Sequence, residues 1–148
     1  MTLFDLASRY IGIHEIAGSM AHPLISWWHS LCGFRLDTPD EVPWCSSFLN
    51  GMAWELRLPR SKSAAARSWL GVGTPVNPDF AVKGDIVILQ RGTGPQPGPE
   101  VLQAPGHVGI FAGWDGDSRV FVLGGNQSDQ VSVASYAKSR ILGLRRLT

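Results

Sequence analysis

The chain reads as an α+β domain in which N-terminal helices pack on a C-terminal antiparallel β-sheet. Three observations predict this. Apolar residues recur at helical spacing through about Leu70, and short runs rich in Val, Ile and Leu replace them from Asp85 onward. Between two of those runs stands Asp115-Gly116-Asp117, a good hairpin turn. With 148 residues and an apolar share of 44%, a single domain spanning 1–148 with a real core is expected.

Taken in order, the first helix opens with Thr2 and Asp5 as a capping box and carries Leu3, Leu6, Ala7, Tyr10 and Ile11 on one face. A second spans 23–32, with Leu24, Trp27, Trp28 and Leu31 as its apolar face and Gly33 as its stop. The third begins near Cys45, buries Phe48, Leu49, Met52, Ala53 and Leu56, and stops before Pro59. Pro43 suits its first turn, with a preset φ and no amide to leave unpaired. Strands read at 85–89, 108–112, 119–123, 131–134 and 141–147. Asp85 is expected to support the turn into its strand, and the Arg145-Arg146 pair to be solvated. Residues 91–105 hold most of the Gly and Pro and read as an irregular surface loop, either a cleft wall or a tolerated insertion. No internal repeat is evident.

The residues that offer chemistry are Cys45, His107 and Asn126, in that chain order. A free thiol has a pKa near 8.5, so little of it is nucleophilic at neutral pH. At a helix start Cys45 lies by the positive end of the macrodipole, which favours thiolate, and an imidazolium at His107 favours it further. His107 opens a strand, where its side chain projects at a sheet end beside the space left by Gly109. Asn126, in Gly124-Gly125-Asn126, can orient the imidazole through its second nitrogen, with Gln127 and Asp129 as nearby substitutes. Each has a plainer reading: a small buried hydrophobe, a hydrogen-bonded loop histidine and an ordinary turn.

Other chemistries find less support. A net charge of +1 gives no broad steer towards nucleic acid or anionic lipid. No apolar run reaches the roughly 18 residues of a membrane span. His14-Glu15 begins like a zinc-protease motif, but Gly18 stands where the second His is needed, and His22 and His29 read as surface residues, so no metal site is expected. Glu15 with Asp37 or Glu41 makes only a weak glycosidase pair. Cys32 and Cys45 permit a disulfide on number alone, yet Cys32 reads as core.

Six ordered motifs make the chain recognisable. They are Gly12-Ile13-His14-Glu15-Ile16-Ala17-Gly18, Glu41-Val42-Pro43-Trp44-Cys45-Ser46-Ser47-Phe48, Ser63-Ala64-Ala65-Ala66-Arg67-Ser68-Trp69-Leu70, Gly84-Asp85-Ile86-Val87, Gly106-His107-Val108-Gly109 and Leu123-Gly124-Gly125-Asn126-Gln127-Ser128-Asp129, before a final Lys138-Ser139-Arg140-Ile141-Leu142-Gly143. The pattern resembles the CHAP and NlpC-like cysteine peptidases, and within them a compact subgroup of phage and prophage cell-wall lysis enzymes. One departure is His22-Pro23, where an Asn-Pro pair is expected.

The resemblance implies a papain-like fold and a peptidoglycan hydrolase, endolysin-like, that cuts an amide in cell-wall peptides. It implies Cys45 as nucleophile, His107 as base and Asn126 as third residue, with no cofactor. Read from the residues themselves, Trp44, Trp69 and Gln127 are candidate substrate contacts, with a buried core position as the plainer reading of each tryptophan. The alternatives are a secretion-delivered antibacterial amidase and a wall-binding module without activity. The expected partner is bacterial peptidoglycan, with no nucleic acid and no membrane insertion, and the expected state is a monomer. The N-terminus shows no basic segment followed by an apolar one, so synthesis in the cytoplasm is expected, with delivery to the wall through a holin or a secretion apparatus.

Overall fold

A computed structural model describes residues 1–16, 21–40 and 42–148. The Ala17-Gly18 end of the first motif and Glu41 lie outside them. Three α-helices come first, α1 (Leu3–Ser8), α2 (Pro23–Ser30) and α3 (Cys45–Glu55), then a 3-10 helix over Ala66–Gly71. Six strands follow: β1 (Thr74–Pro75), β2 (Ile86–Gln90), β3 (Gly106–Asp115), β4 (Arg119–Gln127), β5 (Gln130–Ala137) and β6 (Ile141–Arg146). They form one antiparallel sheet in the order β1-β6-β2-β3-β4-β5. The α+β architecture is the one predicted. β1, two residues long, is too short to show a period and has no counterpart in the prediction.

Alternation along β2 explains both cores. Ile86 and Ile88 face the helices with Val108, Ile110 and Leu123, against Ile25, Trp28, Phe48, Leu49 and Met52. Val87 and Leu89 face the other way, joining Phe111, Val120, Val122 and Leu144 under Trp114 and Tyr136. A strand covered on both faces has no place for polar residues, so β2 reads as an unbroken apolar run. Asp85, just before it and 1% exposed, takes Arg146 Nε at 2.7 Å and Nη2 at 2.8 Å, and accepts from the Val82 amide. Arg146 is thus an ion-pair partner rather than a solvated cation.

The helices depart from the predicted faces in instructive ways. Thr2 and Asp5 make the expected capping box, but α1 ends at Ser8 and Ile11 is 50% exposed. Beyond α1 the chain turns at Gly12 (φ +100°), and Gly12 and Ile13 exchange hydrogen bonds with Val131 at the start of β5. In α2 the buried set is Ile25, Ser26, Trp28 and His29, and Trp27 faces outward in an edge contact with Trp54. His22 caps α2, its Nδ1 accepting from the Leu24 amide, whereas His29 is fully buried on Ser47 rather than at the surface.

α3 is buried almost all round, from Cys45 to Ala53. Its polar residues are therefore obliged to find partners. Ser46 donates to the Ser63 carbonyl, Ser47 meets His29 at 2.8 Å, and Asn50 bonds the Ser46 carbonyl and the Lys62 amide. Pro43 stands outside the helix, ahead of its N-cap Trp44. Trp28 stacks on Trp44 and takes Tyr10 and Phe48 edge-on, so its indole is held from several sides.

Gly51 is the point at which α3 touches that indole: a Cβ there would lie 2.7 Å from Trp28 Nε1. Gly51→Ala should lower unfolding free energy by about 1–3 kcal/mol, the usual cost of overpacking a core. At Gly71 a Cβ meets nothing within 4 Å, and Gly71→Ala should stay within about 0.5 kcal/mol of the parent. Urea denaturation compares the two, and equal effects would mean that α2 and α3 are not packed as described.

Candidate active site

Cys45 is the first residue of α3, and Trp44 supplies no side-chain cap. The amides of the first turn, which have no intrahelical acceptor, therefore stay available to negative charge at this end. The helix start abuts the sheet where β3 and β4 part. Their ladder runs from Asp115↔Arg119 to Ile110↔Leu123 and stops short of Val108. Gly125 makes the approach possible, because a Cβ on it would come within 2.8 Å of Phe48 Cβ and of the Trp44 ring. Left outside that ladder, the Val108 amide donates to the Cys45 thiol.

Cys45 and His107 are brought together and hydrogen-bonded, at 3% and 7% exposure. Burial alone pushes the Cys45 thiol up, but the bond and charge of His107, the Val108 amide and the charge of Arg91 together hold it below the ordinary thiol range. Burial likewise pushes His107 down, and the bond and charge of Cys45 with the bond to Gln127 outweigh it, so that His107 ends above its usual value. Both shifts favour a thiolate–imidazolium pair. Cys32 behaves differently: burial raises it against a Ser47 bond and the charge of Arg60, which keeps it a thiol. Both cysteines are free.

The side chain that meets the far nitrogen of His107 is Gln127, not Asn126. His107 Nε2 lies 2.9 Å from Gln127 Oε1, which also accepts from Tyr136 Oη at 3.1 Å. Gln127 Nε2 donates to the carbonyls of Val122 and Ser132 at 3.1 and 2.7 Å. Those two carbonyls can only accept, so the oxygen of the amide must face the imidazole. Nε2 of His107 is then the donor to Gln127, and Nδ1 is the nitrogen left for the thiol. Tyr136, pushed up to about 12 by burial and then by the Cys45 charge, against a smaller lowering by Arg91, stays a neutral donor. Asn126 adopts φ +57°, in a turn where Ser128 and Asp129 are also left-handed, and it lines a cavity beside His107 instead of bonding the ring.

The three residues expected to meet substrate lie inside the protein. Trp44 and Trp69 are fully buried, their indole nitrogens donating to Glu15 and to Ser46 at 2.8 and 2.9 Å, so neither offers a face to a ligand. Gln127, 4% exposed, has both ends of its amide engaged inside the protein. Among the described residues no three His, Cys, Asp or Glu come together as a metal set.

Two arginines escaped the prediction. Arg67, fully buried, donates to the carbonyls of Pro97, Gly98 and Pro105, and so fastens the 91–105 loop beside His107. Arg91 lines the cavity of about 290 Å³ next to His107. A larger depression of about 760 Å³ lies around Trp54, Arg57 and Pro59, at the far end of α3 from Cys45, and holds neither thiol nor histidine.

Comparison with solved structures finds NlpC1 from Trichomonas vaginalis at a TM-score of 0.55 and 17% identity, over 99% of this chain and 43% of that one. The fold is NlpC-like. The chain spans less than half the length of that protein, and at this identity the likeness concerns the fold alone. No family model and no curated protein matches the sequence.

Two outcomes test the geometry. Gln127→Ala should cut the Cys45-dependent rate about tenfold to a hundredfold, part of what a positioned acid–base group contributes. Asn126→Ala should cost less than about threefold; the reverse order in folded proteins would return the orienting role to Asn126. The reaction of Cys45 with iodoacetamide, followed by peptide mapping, should persist at pH values below the ordinary thiol range. The thiolate exists above the lowered cysteine pKa, and its imidazolium partner survives up to the raised histidine pKa. His107→Ala should therefore move the alkylation curve to higher pH, and an unmoved curve would contradict the pair.

Proposed function

We infer that the protein is a cysteine peptidase or amidase acting on peptidoglycan peptides. The observation that carries this reading is the buried Cys45–His107 pair at the start of α3, with Gln127 behind the ring. The NlpC-like fold supports it, and the ordered motifs that resemble compact phage-type wall enzymes support the narrower endolysin-like reading.

The thiolate of Cys45 attacks the carbonyl carbon of the scissile amide. Negative charge moves to the oxygen, which the Cys45 amide and the positive end of α3 stabilise. The imidazolium of His107 delivers its Nδ1 proton to the departing nitrogen as the C–N bond breaks, leaving a thioester on Cys45 and a free amine. Water then attacks the thioester carbonyl, His107 takes its proton, and the acid leaves as the thiolate is restored. Through both steps Gln127 Oε1 holds the Nε2 proton, so the ring cannot turn away or change tautomer. The reaction takes place where wall peptides are exposed, whether a holin or a secretion apparatus delivers the enzyme.

Purified protein with isolated peptidoglycan should release fragments carrying new amino termini, or free stem peptides if the sugar-linking amide is cut. Mass spectrometry should find no new reducing sugar ends. Cys45→Ala should release nothing, and Cys32→Ala should keep most of the activity. New reducing ends from the Cys45→Ala protein would overturn the mechanism.

A further inference from the structure

The cavity beside His107 has a one-sided charge. Among the described residues its lining includes Arg91, Arg140, Asn126, Ser128 and Tyr136, and neither Asp nor Glu. The two arginines differ in their engagement. Arg140 Nη1 donates to the carbonyls of Gly92 and Gln90 at 3.2 and 3.5 Å, so it clamps the backbone on either side of Arg91. Arg91 is exposed and, among the described residues, makes no hydrogen bond or ion pair of its own. Its charge nevertheless reaches Cys45, His107 and Tyr136. A guanidinium whose backbone is pinned, whose donors are unclaimed, and which lines the same cavity as His107 is arranged to receive an anion. The planar, bidentate match is with a carboxylate.

We propose that Arg91 binds a carboxylate of the bound peptide close to the scissile amide and thereby makes the enzyme selective for acidic peptides. The inference rests on the thiol-hydrolase reading. Wall peptides offer such a group from an internal residue or from the chain terminus, and the chemistry at Arg91 is the same for both. A carboxamide of equal size keeps the shape and loses the charge. Loss of a charge-assisted hydrogen bond should then weaken the interaction roughly tenfold to a hundredfold.

The test uses synthetic stem peptides in four forms, with the internal carboxylate, the terminal carboxylate, both or neither converted to carboxamide. The parent enzyme should prefer one free carboxylate by about tenfold or more in kcat/KM, and the form that loses the preference identifies its source. Arg91→Gln should erase the preference, slowing the carboxylate form well beyond any loss that all four forms share through the thiol, while Arg91→Lys should keep part of the preference. Equal rates on all four forms with the parent, or an equal loss on all forms with Arg91→Gln, would overturn the proposal. The second result would mean that Arg91 acts through the thiol alone. Binding of the same peptides to Cys45→Ser, followed by calorimetry, separates the two readings. Preferential binding of a carboxylate form without hydrolysis by the parent keeps the subsite and removes the enzyme; hydrolysis without any preference does the opposite.

Discussion

Everything at the candidate site depends on where the start of α3 is held. A helix buried almost all round cannot leave the amides of its first turn without an acceptor at little cost, since water is not there to replace the missing carbonyls. Trp44 provides no oxygen to cap them. The element that meets this demand is negative charge, on the sulfur of Cys45 and, in the proposed reaction, on the oxygen of the substrate. The same burial that makes an ionised thiol expensive makes an uncapped helix end expensive, and each offsets the other. Gly125 is the geometric condition for this, because any side chain there would push the helix away from the sheet.

The pair is sustained by a second constraint on the far side of the ring. Gln127 is the last residue of β4, where the pairing register with β5 shifts between Gly124 and Gln127. The shift turns its side chain inward, and two main-chain carbonyls and the Tyr136 hydroxyl leave its amide only one orientation. The imidazole is thereby fixed through groups that do not titrate near neutral pH. An aspartate in that place would add charge and draw the proton more strongly; a neutral amide orients the ring and leaves the balance to the thiol.

Much of this was legible in the sequence, for identifiable reasons. Cys45 at a helix start and His107 at a strand start follow from local periodicity, and the order of helices and strands follows from the change of period near Asp85. Asn126 and Gln127 could not be separated in this way. In a turn with three left-handed non-glycine residues, a shift of one position exchanges the inward and outward side chains, and neither composition nor spacing fixes that shift. The burial of the tryptophans was hidden for another reason. A large ring with one donor suits a cleft wall and a core equally well, and only the placement of Glu15 and Ser46 decides between them. α2 failed on rotation: Leu24, Trp27, Trp28 and Leu31 are an acceptable helical stripe, yet the neighbouring stripe of Ile25, Trp28 and His29 is the one that α3 covers. A buried His29 with Ser47 as partner has no signature in hydrophobic patterning.

The way Arg67 is engaged has a consequence for how such a protein can diversify. Its guanidinium grips the 91–105 segment through the carbonyl oxygens of Pro97, Gly98 and Pro105, and every residue type carries a carbonyl. The anchorage is therefore indifferent to most side chains along the segment. Substitutions there can reshape the wall next to His107 while the strand that delivers the histidine stays in place, which separates the freedom to acquire new substrates from the requirement to keep the chemistry intact.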